Sequence, residues 1–291
     1  MKKNPNVLHR DLVNGRWYFP DKYKEDTSKW CPSVTTILNV LSKPGLDDWK
    51  TKMGQYHKIY SSALAFRGTI VHHFCERLVY GDKVTKDDIN LYIYNSNEHR
   101  WKMEFTQDQL NYSCRQMIKG FVKFWEEKNP TALAVEYPLY HESIPYAGRG
   151  DMVLELNDKK GVKIRVLMDI KTGFENPQYT LQNSAYKKIW DTLFPRETIT
   201  HVGNLYLNDR FRTERGVYKV KITKPNIEAF EDCYDLWKWN NTPMNKTHPI
   251  PKLKNPPPEL FELKKEKEDG VSKATAKTTT TRSRKVVEKQ V

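Results

Sequence analysis

The sequence predicts an α/β fold, a mixed central sheet flanked by helices, and three observations carry that expectation. Apolar residues recur at helical spacing through residues 33–128; the period then changes to two over residues 133–170; helical and strand-like runs alternate from there to about residue 239. The order is helices, three strands, helix, two strands, helix. With 291 residues and 38% hydrophobic content, the chain can bury one full core, and a second domain is not required.

Each element has a local reason. VNGRWYF, residues 13–19, carries the Asn-Gly turn signal of a short hairpin. Ser33 is the expected N-cap of a helix over VTTILNVL, ended by Pro44-Gly45, with a second helical run over Leu46 to Ala65 and a further helix from about Gly68 to Tyr80 stopped at Gly81. After the polar stretch YNSNEH, the segment Thr106 to Lys128 places Leu110, Met117, Phe121 and Phe124 on one helical stripe, and Asn129-Pro130 ends it. Alternation then predicts three antiparallel strands over Leu133–Tyr140, Ile144–Leu156 and Val162–Ile170. A helix over Asn176–Leu193, strands over Val202–Leu207 and Gly216–Ile222, and a helix over Asn226–Trp239 complete the order. Beyond about residue 245 the chain is first Pro-rich, then charged and Thr-rich, a composition that cannot bury enough apolar surface to order itself. The expected organisation is a domain over residues 1–245, its core over about 67–240, and a disordered tail over 246–291.

The formal charge is +13, which points to a polyanionic partner, because clustered Lys and Arg attract phosphates and release their counterions. Cys31, Cys75, Cys114 and Cys233 are scattered, without a CxxC pair or zinc-like spacing, as expected of reduced thiols in a cytoplasmic protein. The first residues lack an apolar signal-peptide region, and no run of apolar residues is long enough to span a bilayer; no membrane association is expected.

The stretch Tyr146 to Gly173, YAGRGDMVLELNDKKGVKIRVLMDIKTG, holds the most chemistry. Alternation puts Met152, Leu154 and Leu156 on one face of one strand and Ile164, Val166, Met168 and Ile170 on one face of the next, with a turn over Asn157 to Gly161. If both faces pack on one core, Met152 pairs with Met168, Leu154 with Val166 and Leu156 with Ile164. Asp151 then lies opposite Asp169, with Cβ atoms roughly 5 Å apart, and Lys171 projects on the same, polar face. Two facing carboxylates repel unless one is protonated or a cation lies between them. A hard divalent ion suits oxygen ligands, so Mg²⁺ or Mn²⁺ fits better than zinc. The competing interpretation is a surface hairpin with charge pairs, including Glu155 and Arg165, on its wet face. Upstream, RGTIVHHFCE puts His72 and Glu76 one helical turn apart; downstream, LQNSAY does the same for Gln182 and Tyr186. His73 points about 100° away from His72.

Taken in order, these motifs resemble the RecB-like branch of the PD-(D/E)xK nucleases, including phage exonucleases and the mitochondrial genome maintenance exonuclease. The matching residues are Gly68-Thr69-Ile70-Val71-His72, Glu136, Gly148-Arg149-Gly150-Asp151, Asp169-Ile170-Lys171-Thr172-Gly173 and Gln182-Asn183-Ser184-Ala185-Tyr186; Pro32 to Leu38 also looks like an N-terminal signature of phage members. The resemblance covers roughly residues 30–210, and Gly150 stands where the superfamily name has proline. It implies a restriction-endonuclease-like core, metal binding by His72, Asp151, Asp169 and the Ile170 carbonyl, and a catalytic Lys171. Gln182 and Tyr186 would position substrate or Lys171. Glu136 is either an acid beside the ligands or a strand-face charge, and Glu76 is expected to support a ligand rather than be one. Some relatives hold an iron–sulfur cluster through three clustered C-terminal cysteines; only Cys233 lies beyond the site here, so no cluster is expected.

The function this implies is metal-dependent hydrolysis of DNA phosphodiesters, chiefly as an exonuclease on single-stranded ends or flaps in phage or host recombination, replication or repair. Its implied partners are DNA with single strands or free ends and recombination or replication proteins. The alternatives are a structure-specific endonuclease resembling a junction resolvase and a DNA-binding accessory protein with a degenerate site. Aromatic and basic residues interleave in GRWYFP, DDWKTKMGQYHKIY and EHRWKMEF, a mixture suited to a single-strand channel or, equally, to amphipathic helix faces.

Overall fold

A computed structural model describes residues 1–41, 44–97, 100–207 and 217–241. Strands β1 (Val7–Leu12), β2 (Gly15–Pro20) and β3 (Cys31–Pro32) form a small antiparallel sheet in the order β1-β2-β3, its hairpin closing at the Asn-Gly turn. Ser33 caps α1 (Val34–Ile37) by accepting a hydrogen bond from the Thr36 amide. The same stretch docks on the main sheet, where the Val34 amide donates to the Ala147 carbonyl (2.9 Å) and the Ala147 amide to the Pro32 carbonyl (3.0 Å).

The helical region differs from expectation in two places. Pro44 opens α2 (Pro44–Met53) rather than ending a helix, and a single 24-residue helix, α3 (Tyr56–Val79), replaces the two expected around Ala65 and Gly68. The break falls at Gly54, whose φ of +54° is a left-handed conformation that ends α2 at little cost only in glycine. Gly68 is carried inside α3 because tertiary packing supplies what its low helix propensity lacks. The second difference is α4 (Lys86–Tyr94), a helix the polarity of its sequence conceals. Thr85 and Asp88 form a reciprocal capping box, and only Ile89 and Ile93 are buried. α5 (Gln107–Lys128) runs as expected from a second capping box, Thr106 with Gln109, to Asn129 in the left-handed region.

The main sheet contains β4 (Thr131–Leu139), β5 (Gly148–Asn157), β6 (Lys163–Lys171), β7 (His201–Leu207) and β8 (Tyr218–Thr223), in that spatial order. β6 and β7 are parallel, joined through α6 (Gln178–Leu193); the other neighbours are antiparallel. The expected hairpin register is present, with Met152 opposite Met168, Leu154 opposite Val166 and Leu156 opposite Ile164. α3 and α5 cover one face of the sheet through Ile70, Phe74, Leu110, Met117 and Phe121, and α4 packs against both helices. α1, α6 and α7 (Ile227–Asn241) cover the other through Ile37, Tyr186, Ile189, Trp190 and Phe230. The hairpin face that carries Asp151 and Asp169 is therefore not a wet face: Val153 and Leu167 on it are buried in the second core. A crossover connection between parallel strands lays its helix on the sheet, and here that helix is α6. The expected tail, residues 246–291, lies outside the described residues.

Candidate active site

The site forms at one end of the main sheet, where α3, β4, β5, β6 and α6 each contribute a side chain. The β5–β6 register, continued one pair beyond Met152 and Met168, sets Asp151 opposite Asp169. Both are buried polar residues. One Asp151 carboxylate oxygen accepts the Ile170 amide at 2.7 Å, which fixes the carboxylate against the neighbouring strand. That oxygen also lies 3.5 Å from His72 Nδ1, delivered by α3.

Glu136 reaches the same place from β4, with its Oε1 3.8 Å from His72 Nδ1. It does so from a left-handed backbone (φ 46°), which costs a non-glycine residue on the order of 1–3 kcal/mol. The strand's alternation shifts there: Ala134 and Tyr137, three residues apart, both enter the core under α6. One ligand atom each from His72, Glu136 and Asp151 lies within 4.8 Å of the other two. A nitrogen and two carboxylates, converging, suit a divalent cation that accepts oxygen with imidazole; no sulfur takes part.

A second group sits beside the first. Lys171 Nζ is 2.5 Å from Asp169 Oδ2. It donates to Gln182 Oε1 at 3.3 Å, while Gln182 Nε2 donates to Asp169 Oδ1 and to the Tyr186 hydroxyl, both at 3.4 Å. Gln182 and Tyr186 stand one turn apart on α6, so the helix aims both down onto the ends of β5 and β6. Asp169 is thus engaged by the lysine and the glutamine, and Glu136 lies beside His72 and Asp151. The Ile170 contact in the site is made by its amide.

Charge crowding shows in the proton affinities. Burial and the nearby Asp151 carboxylate push Asp169 up to about 6, and burial raises Asp151 as well. Burial alone would lower His72, but Asp151, Glu136 and Asp169 outweigh it and lift the imidazole to about 9. Lys171 follows the same pattern: burial opposes its charge, and Asp169 and Asp151 raise it above the ordinary lysine value. The metal-free site therefore holds its protons tightly, the condition a divalent cation would relieve. Glu76 is excluded from the converging set; burial, then Glu136, raises its carboxyl. His73 stacks on Tyr92 with ring centroids 4.6 Å apart, a packing role away from the cluster.

Two further residues shape the site. Tyr179 places its ring 4.1 Å from Lys171 Nζ. Its spacing of three and seven residues before Gln182 and Tyr186 marks the same helical face, a signal present in the sequence. Arg67 is buried and donates to Ser113 Oγ (3.2 Å) and the Thr172 carbonyl (3.4 Å), tying α3 and α5 to the chain just beyond Lys171. Nothing in the sequence separates Arg67 from a solvated arginine.

No family model matches the chain, and no curated protein matches it. Among solved structures, similar chains include an alkaline exonuclease, LHK-Exo, from Laribacter hongkongensis, with 10% identity and a TM-score of 0.31. The same protein in complex with dAMP gives 10% identity and a TM-score of 0.32. Each comparison covers 67% of this chain and 92% of that one. Superposition at that level leaves this chain's chemistry to be read from its own residues. No helix among the described residues is long and apolar enough to cross a membrane.

Proposed function

We propose that this protein is a divalent-metal-dependent DNA nuclease, acting as an exonuclease on single-stranded ends or flaps. The observation that supports it best is the convergence of His72, Glu136 and Asp151 within 4.8 Å beside the Asp169–Lys171 pair. Three strands and two helices meet at that point, and burying so many ionisable groups without a task is costly. The net charge of +13 supports a polyanionic substrate.

His72, Glu136 and Asp151 would hold Mg²⁺ or Mn²⁺, with Asp169 and the Ile170 carbonyl completing the set by the family resemblance. Such an ion supplies Lewis-acid polarisation of a phosphoryl oxygen and activation of water. Lys171 would act as a cation: in the metal-free site burial opposes its charge, and Asp169 and Asp151 outweigh that and raise it above the ordinary lysine value. Its ammonium offsets the negative charge that builds on the phosphate oxygens. Gln182 fixes the ammonium's direction by accepting one of its protons, and its own amide bonds Asp169 and Tyr186. The Ile170 amide keeps the Asp151 carboxylate from rotating. Tyr186, buried on the sheet-facing side of α6, accepts from Gln182 through its hydroxyl and so holds that amide in place.

The test compares linear single-stranded DNA with a covalently closed circle of the same sequence, with Mg²⁺ or Mn²⁺ and with chelator. Progressive loss of the linear strand, survival of the circle and no cleavage under chelator is the expected result. Rapid linearisation of the circle makes the protein an endonuclease; cleavage of neither strand removes the nuclease assignment.

A further inference from the structure

Beyond Lys171 the chain turns from β6 toward α6 through Thr172, Gly173 and Phe174. There it borders a cleft of about 520 Å³, within the size range of small-molecule sites. Leu46 and Trp49 of α2, Tyr60 and Arg67 of α3, and Thr172 and Phe174 of the turn line it. The lining is mainly apolar and aromatic, with one guanidinium. Phe174 is 73% exposed and Leu46 39%. Trp49 is held in place, its ring 5.8 Å from Tyr60 and 6.3 Å from His57 between centroids. Exposed Lys52 and Lys58 lie on the same two helices.

We infer that this cleft is a stacking subsite for an unpaired base of the DNA strand whose phosphodiester lies at Lys171, an inference that rests on the nuclease function proposed above. Continuity with the catalytic group is the first reason. Only Thr172 and Gly173 lie between Lys171 and Phe174, so the Cα atoms of these two are at most about 11 Å apart, a span of a few nucleotides at most. The second is chemistry: aromatic faces with few polar atoms accept any base through its π surface and read none by its edge. Sequence-independent degradation needs that tolerance. The third is charge: the Arg67 guanidinium on its wall and the exposed Lys52, three residues from Trp49 on α2, suit the phosphates that flank a base and would repel a cationic partner. A base wedged here would hold the strand in register with Lys171 and hold it unpaired.

The test uses the full-length chain with Lys171→Ala, free of metal, so that binding is measured without cleavage. Fluorescence anisotropy follows a labelled oligothymidylate of about 12 nucleotides, within the usual span of single-strand sites, and an abasic strand of equal length and phosphate count. Adding Trp49→Ala should raise Kd for oligothymidylate by about 5–100-fold, the range of one lost stacking contact. Phe174→Ser, at a site too exposed to affect folding, should raise it in the same direction. Binding of the abasic strand should not change in either variant. Equal loss for both strands, or loss for neither, overturns the subsite; the latter leaves the cleft to an apolar protein segment. Failure of the subsite and failure of the nuclease function are separable. Base-dependent loss with a wild-type chain that cuts no DNA keeps the subsite alone, and cleavage without base-dependent loss keeps the nuclease alone.

Discussion

The ring of Tyr186 lies over Gly148: a Cβ on that glycine would sit 2.3 Å from Tyr186 Cε1 and 2.7 Å from its hydroxyl oxygen. The glycine that begins the Gly-Arg-Gly-Asp run is thus the floor on which the α6 tyrosine rests. The contact passes to the Asp169–Lys171 pair through Gln182, which bonds the Tyr186 hydroxyl, Asp169 and Lys171. Gly148→Ala is expected to lower turnover by about 100-fold, as a displacement near 1 Å does at a positioned group. Its stability cost should stay at about 1–3 kcal/mol, typical of overpacking. Turnover at the wild-type level in a folded variant, checked by urea denaturation, would show that Tyr186 does not position Lys171.

Lys171→Ala should lower turnover by at least about 100-fold, the loss typical of removing one group that stabilises transition-state charge. Asp169→Asn should do the same and also destabilise the fold, because it leaves the buried Lys171 ammonium without its closest partner. Thermal melts of the two variants separate these effects. Equal stability with lost turnover in both would mean that the ion pair serves chemistry alone.

Glu136 carries two opposed contributions. Glu136→Gly removes the left-handed strain and should raise metal-free stability by about 1 kcal/mol. The same change deletes a carboxylate from the His72–Asp151 group and should weaken Mn²⁺ binding in calorimetry by at least about tenfold. Glu136→Gln keeps the strain and should weaken Mn²⁺ alone. A glycine variant that binds Mn²⁺ as tightly as wild type would return Glu136 to the role of a strand-face charge.

The pH dependence of metal-free stability follows from His72 and Asp169. Both are held above their ordinary values in the fold, so each contributes stability at low pH that is lost as pH rises. For Asp169 the loss runs between its ordinary value of 3.8 and about 6; for His72 it runs between 6.5 and about 9. Unfolding free energy without metal should therefore fall across pH 6.5–9, by an amount on the order of 1–3 kcal/mol. Mn²⁺ should stabilise more at pH 9 than at pH 6.5, because binding must displace the His72 proton. Denaturation curves at the two pH values, with and without Mn²⁺, test both statements; a metal-free protein more stable at pH 9 would contradict the assignment of His72.

Much of the fold is legible in the sequence because period and punctuation are local. The change from helical spacing to alternation marks the three central strands, the apolar residues of β5 and β6 set their register, and that register brings Asp151 opposite Asp169. The i, i+4 spacing likewise puts Gln182 and Tyr186 on one face of α6. Other features depend on contacts between distant segments. Gly68 reads as a helix boundary and lies inside α3, since the break is decided by a left-handed conformation at Gly54. α4 hides among polar residues because only two of its side chains enter the core. The burial of the Asp151–Asp169 face depends on where the β6–β7 crossover lays α6, which alternation along two strands does not encode. The sequence offers Glu136 as either an acid beside the ligands or a strand-face charge, and its approach to His72 and Asp151 depends on a left-handed residue in β4 that alternation does not encode. By itself the sequence determined the order of elements, the hairpin register and the residue types that carry the chemistry. Only the tertiary structure decided which of those residues meet, because backbone strain, close approach and burial arise between segments far apart in the chain.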